Sequence, residues 1–173
     1  DTGSPGRNWN DTTSLVINDK AGIQIMGDWA KGEFTQANKI PGQDYGCFPG
    51  LGDDSLYIVG GDVFVFPKTD DKEQIAVQNK LVESMLSPET QVKFNNLKGS
   101  IPVRTDIDVS SMDICAQKGA AILKVAERQV PDGSMLMEEY LYGSLKDAVT
   151  EVWNAQEMTT DKAVSIFAQA LRD

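Results

Sequence analysis

Four places in the sequence carry side chains suited to holding a ligand, and none lies inside an apolar run. They are Trp9 in GRNWND, Trp29 in MGDWAKG, the Gly60-Gly61-Asp62 tripeptide and Lys98 in NNLKGSIPVR. An indole offers a flat apolar face on which the C–H face of a pyranose can stack. A carboxylate and an ammonium take paired hydroxyls through charge-assisted hydrogen bonds. Glycines beside the aspartate let backbone come close to whatever it holds. Such a set suits a neutral polyhydroxylated ring and needs neither histidine nor metal. Each feature also has a plainer reading. A lone tryptophan is more often core than ligand contact, Gly-Gly-Asp is more often a turn, and a lone lysine is usually solvated. What links the four is their shared position at turns and loops that flank secondary structure.

Composition narrows the chemistry further. The 173 residues contain no histidine, which removes Ser-His-Asp and Cys-His catalysis and the commonest zinc ligand. No metal or cofactor is expected. The formal charge of −10 argues against nucleic acid or an anionic membrane as the main partner. Cys47 and Cys115 are too few and too far apart for a zinc knuckle; one disulfide and two buried thiols are equally open on spacing. Hydrophobic residues at 40% and charged residues at 24% describe an ordinary globular chain. The opening DTGSPGRNWNDTT has neither a Met start nor a leader pattern, and it reads as a cut into a longer, processed or engineered chain.

The elements that must position these residues follow from periodicity and caps. A short capped helix is expected over 10–19, leading into a strand over 22–27, with one or two helical turns over 30–36. Pro41-Gly42, Pro49-Gly50 and Gly52 mark loop, with a short extended piece at 45–48. Val63 to Phe66 is the strongest strand signal, stopped by Pro67. Asp70 or Asp71 caps a helix over 72–86 whose Ile75, Leu81, Val82, Met85 and Leu86 share a broad face. Ser87-Pro88 starts a second helix to about Asn96. Further helices are expected from Ser110 or Ser111 to about Gln129, from about Met135 to Ala155, and after a Thr160 cap. In the helix from about Met135 to Ala155, Leu141, Leu145, Val149, Val152 and Trp153 recur by three or four. In the last, Ala163, Ile166, Phe167, Ala170 and Leu171 form a packing stripe. Two or three short strands among five or six helices describe a helix-rich α/β unit with too few strands for a self-sufficient sheet.

The stretches GIQIMGDWAKGEF, YGCFPG, GGDVFVFPK, MLSPETQVKFNNLKGSIPVRTDID and DICAQ, with the helix–break–helix tail, resemble bacterial extracellular solute-binding proteins of ABC transporters. The likeness is to the glucose/mannose-binding branch of the family-1 sugar-binding proteins. It runs over essentially the whole chain in motif order and covers the C-terminal portion of a family member. It implies an incomplete, helix-rich C-terminal lobe portion of a two-lobed type II periplasmic-binding-protein fold. Residues 1–58 would belong to the C-terminal lobe, 59–104 would cross to an N-terminal lobe outside this chain, and 105–173 would return. The resemblance implies a monosaccharide ligand, stacked on Trp9 and Trp29 and held by Asp62, Lys98 and the backbone of Gly61. It also implies a Cys47–Cys115 disulfide, membrane subunits of a transporter as partners, and a periplasmic or lipid-anchored extracellular location. One departure stands out: the branch has a histidine contact after the VP dipeptide, where this chain reads VPDGSML. Asp132 or Ser134 would take its place, or the contact is lost.

Two other readings stay beside this one. The chain alone would be a structural piece that binds no sugar and self-associates through the faces left bare over 60–104. Less favoured is a carbohydrate-acting enzyme using Asp53-Asp54 or Glu138-Glu139, since adjacent residues rarely aim both carboxyls at one bond.

Overall fold

The computed structural model describes residues 3–50 and 56–172. Seven helices and two short strands occur among them: α1 (Trp9–Ile17), α2 (Lys31–Gln36), β1 (Tyr57–Val59), α3 (Lys72–Leu86), α4 (Pro88–Lys98), α5 (Ile114–Ile122), β2 (Gln129–Pro131), α6 (Glu139–Asn154) and α7 (Thr160–Ala170). The helix-rich α/β reading holds. The chain divides into a larger unit, Asp1–Tyr57 with Val63–Gln129, and a smaller one, Ile58–Asp62 with Val130–Asp173.

Side-chain caps decide most helix starts. Asp71 accepts from the amides of Glu73 and Gln74 and opens α3; Ser87 accepts from Thr90 and opens α4 behind Pro88. The stop of α4 is Gly99, whose φ of 86° is the left-handed conformation that glycine adopts without strain. In the larger unit Thr13 and Ala116 are fully buried, and Ala30, Phe34, Met112 and Cys115 are buried with them. The buried Thr13, Lys31, Gln91 and Asn95 side chains are hydrogen-bonded, whereas the buried Tyr45 hydroxyl has no partner. Gln91 donates to the Met85 carbonyl at 2.8 Å and accepts from the Val103 amide at 3.0 Å, joining α3 and the 99–113 loop to α4. Lys31 reaches from α2 to Asp113 at 2.8 Å, and that carboxylate also caps the Cys115 and Ala116 amides.

The smaller unit packs α6 against α7. On α6 the inward stripe is Leu141, Leu145, Ala148 and Val152, whereas Val149 and Trp153 are exposed. On α7, Ala163, Ile166, Phe167 and Ala170 face in and Leu171 does not.

Several expected elements are absent or shortened. Residues 22–27 are extended but form no strand, with Ile23 and Ile25 both exposed. The Val63–Phe66 run is likewise not a strand, and Val63, Phe64 and Val65 are exposed. Neither has a neighbouring ladder among the described residues, and strand propensity without a partner closes no hydrogen bonds. A turn at 42–44, closed by an isolated Pro41–Tyr45 bridge, precedes residues 46–48, which are neither helix nor turn. The helix expected from Ser110 or Ser111 begins after the Asp113 cap and ends at Ile122, where the Gln129 side-chain Nε2 donates to the Leu123 carbonyl at 2.9 Å. The Met135–Leu136 stretch leads into α6 through a 3-10 turn capped by Asp132, so α6 starts at Glu139. The cap of α7 is Thr159, not Thr160.

Candidate functional site

Trp9 is the first residue of α1. Asn8 caps that helix in a reciprocal box with Asp11. The Trp9 carbonyl accepts from the Thr13 hydroxyl and from the Gln24 side-chain amide, both at 3.0 Å. The irregular 22–27 segment is therefore tied to the first turn of α1. The Trp9 side chain remains exposed.

Trp29 lies in the 3-10 turn Asp28–Ala30 that feeds directly into α2. Its six-membered ring folds back over Gly27, where an added Cβ would overlap Cη2, Cζ3 and Cζ2 of the indole. Gly27 has φ −65° and ψ 161°, a conformation open to any residue. Glycine is needed there for the ring and not for the backbone. Trp29 is 43% exposed, so the indole is seated on one side and open on the other.

Between these features is a residue that the sequence reading passed over. Asp28, partly buried, lies in the turn that carries Trp29. Burial pushes its carboxyl above the ordinary carboxylate value, against the pull of Lys31, the backbone amides of Ile101 and Trp29, and Lys98. Burial, then the neighbouring Asp28 charge, holds the Tyr57 hydroxyl well above its usual range. The only local sign of this was an acid between Gly27 and an indole; Tyr57 and Ile101 are far away in sequence.

Lys98 ends α4, and its ammonium stands 5.9 Å from the centre of the Phe94 ring. The turn behind it presses on α2: a Cβ at Gly99 would stand 2.8 Å from the Gly32 nitrogen and 2.9 Å from the Lys31 Cβ. The structure thus brings the Trp29 and Lys98 segments together around Asp28. Trp9 arrives separately on α1, which packs against α2, and the two indoles do not stack on each other.

Gly61, Asp62 and Asp132 belong to the smaller unit. The Asp132 amide donates to the Val59 carbonyl at 3.0 Å, and a Cβ at Gly60 would lie 3.5 Å from the Asp132 Cβ and Oδ2. The Gly-Gly-Asp turn therefore lies against Asp132, just past the carboxyl ends of β1 and β2. Asp62 is exposed, and a Cβ at Gly61 would meet open space. Asp132 accepts from the Ser134 hydroxyl at 2.7 Å and amide at 2.8 Å, which hold its carboxyl below the ordinary value. Asp132 and Ser134 also edge a concavity of about 480 Å³ whose wall includes Met137, Tyr142, Leu145 and Lys146.

The two cysteines are joined. Cys47 and Cys115 form a disulfide with Cα atoms 5.7 Å apart, which ties the 41–50 turn to the first turn of α5. Tyr45 in that turn stacks on Phe34 of α2 at 4.1 Å between ring centres, and burial followed by Asp113 pushes its hydroxyl up to about 12. Of the two carboxylate pairs, Asp53-Asp54 lies outside the described residues. Glu138 and Glu139 are exposed at the start of α6.

The family model described as bacterial extracellular solute-binding protein matches residues 2–119. The chain is 38% identical to a probable sugar-binding periplasmic protein of Mesorhizobium japonicum over 97% of its length, and 35% identical to one of Rhizobium meliloti over 96%. It is 28% identical over 96% of its length to an uncharacterized ABC transporter extracellular-binding protein of Pyrococcus horikoshii. The chain spans 41% of the length of each of the first two relatives and 37% of the third. These names describe binding proteins, and the chain itself belongs to the bacterial extracellular solute-binding protein family.

Proposed function

We propose that this chain is the C-terminal portion of the sugar-binding component of an ABC transporter, binding a glucose- or mannose-like monosaccharide by cleft closure, without catalysis. Trp9 and Trp29 stack on the sugar ring, Asp62 and Lys98 hold hydroxyls, and Gly61 offers backbone. Asp132 stands in for the family histidine, with Oδ1 engaged by Ser134 and Oδ2 left for a hydroxyl. The 59–104 segment, on this reading, packs on a lobe outside the chain, and the protein works in the periplasm or anchored outside the cell. An extracellular family accords with the Cys47–Cys115 disulfide, since such bonds persist in oxidising compartments.

The observation that carries the reading is the half-open Trp29 indole, seated on Gly27 beside Asp28 and near the Lys98 segment. A core tryptophan would be closed on both faces. Titrating glucose, mannose and galactose into the full-length protein is expected to change intrinsic fluorescence. Trp29→Ala is expected to weaken binding about tenfold, the loss of one stacking face at roughly 1.4 kcal/mol. Unchanged affinity in that variant, or loss of fold with no sugar response, would make Trp29 a packing residue.

A second reading applies to the 173 residues alone. The apolar side of α3 and the Val63–Val65 run are exposed, so the isolated chain self-associates and binds no sugar. Calorimetry of this chain with millimolar monosaccharide separates the two.

A further inference from the structure

We propose that Gly32 and Gly99 are positioning residues of the sugar site: the contact between their backbones fixes how far the Trp29 turn stands from Lys98. The binding half of the test rests on the function proposed above, and the geometric half does not.

The contact falls between the two expected ligand groups. Helix α2 begins at Lys31, directly after the Trp29 turn, and Gly32 is its second residue. Lys98 is the last residue of α4, and Gly99 follows as its C-cap. A Cβ on Gly32 would stand 3.1 Å from the Lys98 carbonyl oxygen and 3.6 Å from that of Leu97. From the other side, a Cβ on Gly99 would come within 2.8 Å of the Gly32 nitrogen and 2.9 Å of the Lys31 Cβ. Each glycine therefore clears room for the other's segment. Main-chain atoms, unlike the end of a long side chain, have no rotamer by which to yield.

Neither glycine is explained by its own backbone. Gly32 lies inside a helix of six residues, where glycine is less favourable than alanine. Gly99 has φ 86°, a conformation that asparagine also adopts at helix ends. What asparagine cannot supply is the missing Cβ.

Both sides of the contact are held from behind. Lys31 is paired to Asp113 at 2.8 Å, and that carboxylate caps α5. The buried Asn95 of α4 accepts the Gly99 amide on its carbonyl at 2.8 Å and the Ser100 hydroxyl on Oδ1 at 2.6 Å. A displacement at the contact then passes into the Trp29 turn or the end of α4, and the separation of the two ligand groups moves with it.

The test uses the full-length protein carrying 5-fluorotryptophan and a nitroxide on Lys98→Cys, labelled without reductant so that the Cys47–Cys115 bond stays intact. The Trp29 fluorine resonance is the one lost in Trp29→Phe, and its relaxation by the nitroxide reads the distance between the two positions. Without sugar, Gly32→Ala and Gly99→Asn are each expected to change that relaxation. Gly143→Ala makes the same helix-favouring change in α6, where a Cβ would meet nothing within 4 Å, and is expected to leave it unaltered. With Lys98 restored, Gly32→Ala is expected to raise the glucose Kd about tenfold, the scale on which a slightly misplaced group loses its contact. Gly143→Ala is expected to leave the Kd as it is. Helix propensity favours alanine at both positions, so a loss confined to Gly32→Ala does not come from propensity.

Unaltered relaxation in both Gly32→Ala and Gly99→Asn overturns the proposal, as does an unchanged glucose Kd in Gly32→Ala when the parent binds glucose. A lowered melting temperature with relaxation and Kd unchanged makes the two glycines packing residues, which overturns it as well. Should Gly99→Asn fail to fold, Gly32→Ala decides by the same readouts. A parent that responds to no sugar sinks the binding reading alone, because the relaxation measurement still judges the contact.

Discussion

Gly27 is kept for an indole lying over it. Its backbone suits any residue, so replacing it changes only the space under Trp29. Gly27→Ala is therefore expected to hold or slightly raise stability, by about 0.4–1 kcal/mol from the stiffer unfolded chain. It lifts the ring off its seat, so sugar affinity is expected to fall and Trp29 emission to shift. A denaturant titration beside a glucose titration checks both halves; loss of stability with affinity intact would contradict them. This is also where residue-level reading of the sequence reached its limit. Trp9, Trp29, Asp62 and Lys98 were singled out because their side chains advertise a chemistry and lie at helix ends, turns and loops. Asp28 was not, because its burial, which pushes its carboxyl up, comes from the folded surroundings and no local pattern encodes it.

At the scale of elements, helices were legible wherever a cap and a stripe agreed, as with Asp71, Ser87-Pro88 and the bounds of α3. The runs 22–27 and 63–66 show the converse. Their alternation and β-branching describe what a strand would bury, whereas a ladder depends on a neighbour that these residues do not have here. The 41–50 turn is held by tertiary links: the Cys47–Cys115 bond at one end and the Tyr45–Phe34 stack near its middle. Both lead to the helices behind the candidate site, since Cys115 begins α5 beside the Asp113 that pairs with Lys31 of α2. Removing the bridge with Cys47→Ala/Cys115→Ala is expected to cost about 4 kcal/mol on the loop-entropy account for a separation of 68 residues. Because α2 follows directly on the Trp29 turn, acrylamide quenching of Trp29 should rise in conditions where the variant is still folded. Chemical denaturation and quenching measured together test this; an unchanged midpoint would mean that the turn is held without the bond.

On the scale of the whole molecule, the chain leaves large apolar side chains exposed on several elements. Val63, Phe64 and Val65 are each well over half exposed, and α3 contains no buried residue although Ile75, Leu81 and Leu86 lie along it. Large contiguous apolar patches of this kind mark surfaces that meet a partner. The expected partner in the whole protein is the other lobe; for these 173 residues in isolation it is a second copy. Sedimentation velocity from micromolar to hundreds of micromolar should show a rising average mass. Val65→Lys and Leu81→Lys should each lower that mass without loss of helix by circular dichroism, because Val65 is 82% exposed and Leu81 45% exposed. Adding the N-terminal lobe should do the same by covering the surface. A chain that stays monomeric throughout that range, with its helices intact, would mean that this surface is tolerated bare, and the self-association reading would fall while the Trp29–Asp28–Lys98 grouping stood unaffected.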